Sequence, residues 1–434
     1  MSEKIHVVLP QRYDLVTGDT FQLFYRGVIA APDPFCYDIV AVCDGGKNYP
    51  RYFEYTPETA GEHKLSIFVY DADKTLLGQG ETILRVAKPE QPQKPVQVLC
   101  IGDSLTAGGT WPHEAYRRLT AQDGAPCGLG FHNIHFLGTC EKDGVFYEGY
   151  GGWTWNHYLK NGWEATSAVW IQCAHHKTEA DQHSIWQDEA GSLWQLETIE
   201  ADRLKFNRYR GHCHPKPECG ALTHVKHAAH TDAIAVERSY FAKNNPFCNE
   251  QTGEADFKQY CEQNGFSGGI DYVYILLGWN GLLENTLPIP EHCKRLAEQG
   301  KQLVGRIRAA YPQAQIRVMG LQVPSVNGGT AASYGAELPY CDDYGLTLYV
   351  MELNKAYETW TLEPGYRDFM EFINISGQFD TDYNMPWTEK PANTRSARTE
   401  VVGTNGVHPS EDGYMQIADA AFRNMVSSFA AEQA

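Results

Sequence analysis

Four short segments of this chain carry residue types that could assemble acyl-transfer chemistry. The first is Gly102-Asp103-Ser104-Leu105, which follows the apolar run Val96-Gln97-Val98-Leu99-Cys100-Ile101. Glycines flank the serine closely enough for the backbone to bend and leave its hydroxyl accessible. The end of a strand is where open α/β sheets bind ligands, so Ser104 is a candidate nucleophile. The second segment, Glu148-Gly149-Tyr150-Gly151-Gly152-Trp153-Thr154, is a glycine-rich loop whose N–H groups can approach a ligand closely. The third, Gly278-Trp279-Asn280-Gly281, places an amide donor directly after the apolar run Tyr272–Leu277. The fourth, Asn405-Gly406-Val407-His408-Pro409-Ser410, sets an imidazole just before the last helical stretch. A serine hydroxyl needs a neighbouring base to become a nucleophile. The oxyanion it creates needs donors already aimed at it.

In this order the four segments resemble the SGNH (GDSL-type) hydrolases, and the resemblance runs from about residue 96 to 430. The wording Glu-Gly-Tyr-Gly-Gly-Trp-Thr-Trp is most similar to a branch of carbohydrate acetyl-esterases. The resemblance implies a flavodoxin-like three-layer α/β/α fold and ester hydrolysis through an acyl-enzyme. It makes Ser104 the nucleophile and His408 the base. It makes the Ser104 N–H, the Gly152 N–H and the Asn280 side chain the oxyanion donors. No cofactor and no metal are expected. Asp103 is expected to hold the turn by bonding nearby N–H groups, and with Trp153 and Trp279 it is placed among the residues nearest substrate.

Two positions depart from the pattern. The family usually carries aspartate three residues before the histidine, and here that residue is Asn405. Losing such an aspartate costs a serine protease about 10⁴ in rate, largely through the wrong tautomer, yet cysteine proteases use asparagine there. Asn405 is therefore a candidate orienter of His408, with a backbone carbonyl, another carboxylate, or an impaired site as alternatives. Gly281 stands where an aspartate often follows the asparagine, which puts the support of that loop in question. The expected activity is removal of a short acyl group, acetyl first, from a saccharide ester. Alternatives are a thioesterase or lipase-like esterase, or a catalytically impaired carbohydrate-binding protein.

The elements that must hold these segments fall into two expected domains, 1–93 and 94–434. The first reads as short β-branched and aromatic runs divided by turns such as Thr17-Gly18-Asp19 and Asp44-Gly45-Gly46. Runs spaced this way suggest an immunoglobulin-like β-sandwich. Three prolines between Lys88 and Pro95 make a semi-rigid linker. Beyond it strand and helix alternate. A helix of about 20 residues is expected from Pro290, a strand over Gln315–Leu321 and a last helix from about Glu411, with Ser410 as its cap. Between about 175 and 268 the alternation breaks. A hairpin around Asp188-Glu189-Ala190-Gly191-Ser192 marks a β-rich insertion expected at the active edge of the sheet.

The 434 residues carry 36 basic and 54 acidic side chains, a formal charge of -18. Such a surface repels phosphate backbones and anionic lipids, so neither nucleic acid nor membrane is an expected partner. No apolar run approaches the ~20 residues of a membrane span. The first residues lack the basic segment and apolar core of a leader peptide. A cytoplasmic location is the expectation for the chain as given, with a secreted protein whose leader has been removed as the alternative. Oligomeric state is not readable. Most of the twelve cysteines are expected as free thiols. His212, Cys213, His214, Cys219, His224, His227 and His230 invite a zinc reading, but their spacing matches no standard zinc pattern. A histidine-bearing surface loop or a Cys213–Cys219 bridge is the preferred reading there. Trp153, Trp155, Trp186 and Trp194 are candidates either for a sugar-stacking wall or for core packing.

Overall fold

The computed structural model describes residues 4–159, 168–210, 220–241, 245–249, 252–283, 287–334 and 343–431. By contact density the chain forms two compact units, residues 1–154 with 266–434, and residues 155–265.

The first unit is mixed α/β. The strand Val96–Gly102 is apolar at nearly every position and buried along its length. It therefore takes the interior of a parallel sheet, where both faces are covered. Tyr272–Leu276 pairs parallel to one side of it, followed in turn by Gln315–Met319 and Met370–Ile373. Ile134–Leu137 and Val145–Gly149 pair parallel on its other side. Successive strands thus leave Val96–Gly102 in opposite directions, which makes the carboxyl end of that strand the switch point where ligands bind in such sheets. The helix Ile289–Ala310 connects two adjacent parallel strands, with Leu296, Leu303, Val304 and Ile307 buried along one stripe. It packs against Asp343–Thr361, and Thr110–Thr120 packs against the last helix, Glu411–Ala431.

Residues 5–87 build two larger sheets in the same unit, beside the two-stranded pair of His6–Val7 with Ile29–Ala30. Arg12–Val16, Leu76–Ala87, Gly61–Tyr70 and Asp38–Val42 lie side by side, the first pair parallel and the others antiparallel. Phe21–Phe24, Tyr52–Tyr55 and Lys47–Asn48 form a three-stranded antiparallel sheet. Their apolar faces share one core that includes Leu15, Phe21, Leu23, Phe53, Leu65, Ile67 and Leu84. Of the run Ile5–Leu9 only His6–Val7 pairs as strand. These sheets are tied to the α/β sheet by buried ions. Asp19 accepts from Arg118 at 2.5 Å and from Arg423 at 2.6 Å. Burial by itself would raise the Asp19 pKa, but the two guanidiniums outweigh it and hold the group ionised. Gly27 runs directly over Ser376 and Gly377, and a Cβ there would strike the Ser376 carbonyl.

The second unit is a seven-stranded antiparallel sheet with its own core, which includes Val169, Ile171, Trp186, Trp194, Leu196 and Phe206. Ile185–Gln187 and Leu193–Ile199 form the hairpin around Asp188. Trp186 and Trp194 sit opposite each other across it and are fully buried. Their indole N–H groups donate to Ser184 Oγ and Asp188 Oδ2. Trp155 is fully buried as well. None of the three presents a face to a sugar, so core packing is what these residues do. Of the histidines and cysteines considered for zinc, His212, Cys213, His214 and Cys219 lie outside the described residues. His230 donates its backbone N–H to buried Asp181 and sets its ring Nδ1 at 2.9 Å from it. Among the described residues Cys36, Cys43, Cys100, Cys127, Cys140, Cys173 and Cys293 are free thiols, and no helix is long and apolar enough to cross a membrane.

Candidate active site

Strand Val96–Gly102 turns directly into the short helix Ser104–Ala107. Asp103 caps that helix, accepting from Leu105 N–H at 3.0 Å. Ser104 is therefore its first residue and not its cap. Gly102 is required by space, since a Cβ there would meet Thr106 Oγ and lie 2.7 Å from the Leu276 carbonyl. The glycine-rich loop arrives from Val145–Gly149. Buried Glu148 anchors it, accepting from Thr139 N–H at 2.7 Å and from the Tyr150 hydroxyl at 2.5 Å. Tyr150 N–H donates to the Gly102 carbonyl, and its ring stacks on Trp153 at 4.2 Å. A Cβ on Gly151 would come to 3.9 Å from Ser104 Cβ, so the loop runs beside the serine. Gly152 takes φ +83° with open space around it.

The histidine arrives from the far end of the chain. His408 lies between the strand Thr399–Gly403 and the last helix. Ser410 caps that helix, and both its N–H and its Oγ donate to the Asn384 carbonyl at 3.0 Å. This places His408 Nε2 2.7 Å from Ser104 Oγ, across 304 residues of sequence. Burial lowers the His408 pKa, which keeps the imidazole neutral and able to accept a proton.

Asn405 does not face the imidazole. Its Oδ1 accepts from Val407 N–H at 2.9 Å and from His408 N–H at 2.8 Å, which closes an Asx-type turn beneath the histidine. The expectation that Asn405 orients the ring is corrected accordingly: its oxygen is committed to the backbone. The group at His408 Nδ1 is the Tyr334 hydroxyl, 3.2 Å away. Sequence reasoning missed it, because a lone tyrosine 74 residues from the histidine carries no motif.

Asn280 opens with the short helix Trp279–Leu283, where its Nδ2 donates to the Trp153 carbonyl at 2.9 Å and more weakly to Asp103 Oδ2 at 3.4 Å. It thus joins the third segment to the first and second. Support for this loop comes from His292, also missed in the sequence. Its Nε2 donates to the Gly281 carbonyl at 2.7 Å, while its Nδ1 accepts from Arg295 at 2.9 Å. Burial lowers the His292 pKa, in keeping with that neutral form. Trp153 and Trp279, expected beside substrate, are only 3% and 1% exposed, so their rings are packing elements. Trp153 meets the site through its carbonyl, which accepts from Asn280. A separate cleft of about 590 Å³ includes Arg26, Arg51, Asp382 and Tyr383 in its walls and none of the four segments' candidate residues. Its arginines are already paired, Arg26 with Asp382 and Arg51 with Asp380.

Asp103 is completely buried. Burial pushes its pKa up to about 7, against the opposing Leu105 N–H bond. Unfolded, the same carboxyl titrates near 3.9. The folded state therefore holds the extra proton, and stability is lost as pH rises from about 4 to about 7, by an order of a few kcal/mol. Asp103→Asn carries no such titration. Its melting temperature relative to wild type should climb by several degrees between pH 5 and pH 8. A constant difference across that range would show that Asp103 is not held protonated by the fold.

No protein-family model matches the chain, and no curated protein matches it. Solved structures do. A carbohydrate esterase family 3 structure from Talaromyces cellulolyticus is 12% identical, with a TM-score of 0.35, covering 77% of this chain and 98% of that one. A family 3 carbohydrate esterase of Clostridium thermocellum is 14% identical at TM-score 0.37, covering 78% and 100%. A carbohydrate acetylesterase from Sinorhizobium meliloti is 14% identical at TM-score 0.34, covering 77% and 99%. At scores this low the likeness decides nothing about activity.

Proposed function

We propose that this chain is a serine ester hydrolase of the SGNH type, which removes short acyl groups, acetyl first, from a saccharide ester. The observation that carries the reading is the 2.7 Å contact between Ser104 Oγ and His408 Nε2 at the switch point of a parallel sheet. In this reading residues 94–434 form a flavodoxin-like three-layer domain. Residues 1–93 form an immunoglobulin-like module that braces it through Asp19, Arg118 and Arg423.

The chemistry follows from the geometry. His408 Nε2 takes the Ser104 proton as Oγ attacks the ester carbonyl. The carbonyl π electrons move onto oxygen, and that oxyanion is met by donors from three segments. These are the Ser104 and Gly152 N–H groups and the Asn280 amide. Of the two Asn280 bonds, the 3.4 Å contact to Asp103 is the weaker, and its hydrogen is the one an oxyanion draws. The tetrahedral centre then collapses. The C–O bond to the alcohol breaks, and the imidazolium gives the leaving oxygen its proton. Water enters the same site and attacks the acyl carbon as His408 takes its proton. The bond from that carbon to Ser104 Oγ then breaks, the imidazolium returns the proton to Oγ, and the acid leaves. No step requires a cofactor.

The test is a panel of p-nitrophenyl acetate, butyrate and octanoate. The highest kcat/KM is expected for acetate, and a preference for octanoate overturns the short-acyl assignment. Because burial lowers the His408 pKa, the base stays neutral as the medium turns acidic. The acid limb of kcat/KM should therefore lie below the ordinary imidazole value of about 6.5. A limb above that value would show that a nearby anion stabilises the imidazolium.

A further inference from the structure

We infer that the Tyr334 hydroxyl, in place of a carboxylate, holds His408 in the tautomer that frees Nε2 to take the Ser104 proton. This rests on the hydrolase reading above. A general base at Nε2 needs its ring hydrogen on Nδ1, and that hydrogen needs an acceptor to keep it there. The group at Nδ1 is the Tyr334 oxygen, at 3.2 Å. Asn405, at the position where the family pattern carries aspartate, has its oxygen bonded to two backbone N–H groups instead.

The phenol and the imidazole are held in register by the segments that carry them. Tyr334 ends the helix Gly329–Tyr334, which packs on the strand Thr399–Gly403 leading to the histidine loop. A Cβ on Gly329 would lie 2.8 Å from the Asn405 carbonyl oxygen. Ser333 Oγ accepts from Gly406 N–H at 3.2 Å and donates to the Gly329 carbonyl at 2.6 Å. Gln322 Nε2 donates to the Val407 carbonyl at 2.6 Å. The ring and its partner therefore move together.

A phenol oxygen can accept or donate, and only acceptance gives the working tautomer. Donation into Nδ1 would leave the ring hydrogen on Nε2, facing Ser104. Burial raises the Tyr334 pKa, so the phenol stays protonated. The 2.7 Å contact to Ser104 sets the choice: with Oγ donating its hydrogen to Nε2, the ring hydrogen lies on Nδ1 and the phenol oxygen accepts it. Tyr334 does not touch the ester, so it is a positioning residue. As a neutral partner it stabilises imidazolium less than a carboxylate does, in keeping with a histidine whose pKa is lowered.

The experiment combines turnover with nitrogen-15 NMR of histidine-labelled full-length protein, with His408 assigned by difference from His408→Gln. Wild type should show His408 protonated at Nδ1, with Nε2 free to accept. Tyr334→Phe keeps the ring and removes the oxygen. It should give a mixture of tautomers, a fall in kcat of about 10²-fold and little change in KM. An unchanged tautomer or an unchanged kcat overturns the inference. Should the phenylalanine variant misfold by circular dichroism, the wild-type spectrum decides by itself: His408 protonated at Nδ1 supports the inference, and His408 protonated at Nε2 overturns it. Failure of the hydrolase reading looks different: wild type would hydrolyse no ester and a fluorophosphonate would not label Ser104. The tautomer comparison would still decide the role of Tyr334.

Discussion

Ser104→Ala is expected to lower kcat on p-nitrophenyl acetate by about 10⁶ while leaving the circular dichroism spectrum unchanged, and His408→Ala should cost about as much. The double variant should be no worse than either single one, because hydroxyl and imidazole act as a unit across one 2.7 Å contact. The fold should tolerate the serine change, because Asp103 and not Ser104 caps the helix that begins there. A serine with a purely capping role would give the opposite result, a loss of stability with hydrolysis intact. Equal rates for wild type and Ser104→Ala would end the hydrolase account. Fluorophosphonate labelling checks the same residue independently, with the adduct expected on the peptide that contains Ser104 and absent from the alanine variant.

The parts of the α/β unit that were legible in the sequence are those where one local rule decides. Val96–Gly102 is apolar throughout and ends in glycine, so its strand and its turn are both visible. Pro290 opens the helix Ile289–Ala310 because a first-turn residue needs no N–H partner. Glu411–Ala431 begins where Ser410 and two acids announce it. The contact between Ser104 and His408 was legible only as an ordered set of four segments, since nothing local to either residue names the other. What failed was inference from residue type to direction. Asn405 sits where an orienting side chain would, yet its oxygen accepts from two backbone N–H groups. Trp153 and Trp279 flank the catalytic segments but point into the core, because an indole gains more from burial than from standing over a pocket. Tyr334 and His292 were invisible for the converse reason. Each acts through a contact fixed only by tertiary packing, which the residue pattern of its own helix does not announce.

Asn280→Ala is the second large effect, expected at 10²–10³ in kcat with KM little changed, about what one oxyanion donor is worth. The side chain also donates to the Trp153 carbonyl at 2.9 Å, so its loss could act by loosening the glycine-rich loop. Two measurements separate these causes. A donor aimed at the transition state is felt by a tetrahedral analogue and hardly at all by the planar ester. Affinity for a boronate adduct on Ser104 should then fall in proportion to kcat/KM, while KM for the acetate holds. A loosened loop would weaken substrate and analogue alike. His292→Ala provides the comparison. It removes the donor to the Gly281 carbonyl but leaves the amide in place. It should lower the melting temperature and reduce kcat by less than Asn280→Ala. If the two variants behave alike in every readout, Asn280 is a structural clasp, and the oxyanion is stabilised by the Ser104 and Gly152 N–H groups without it.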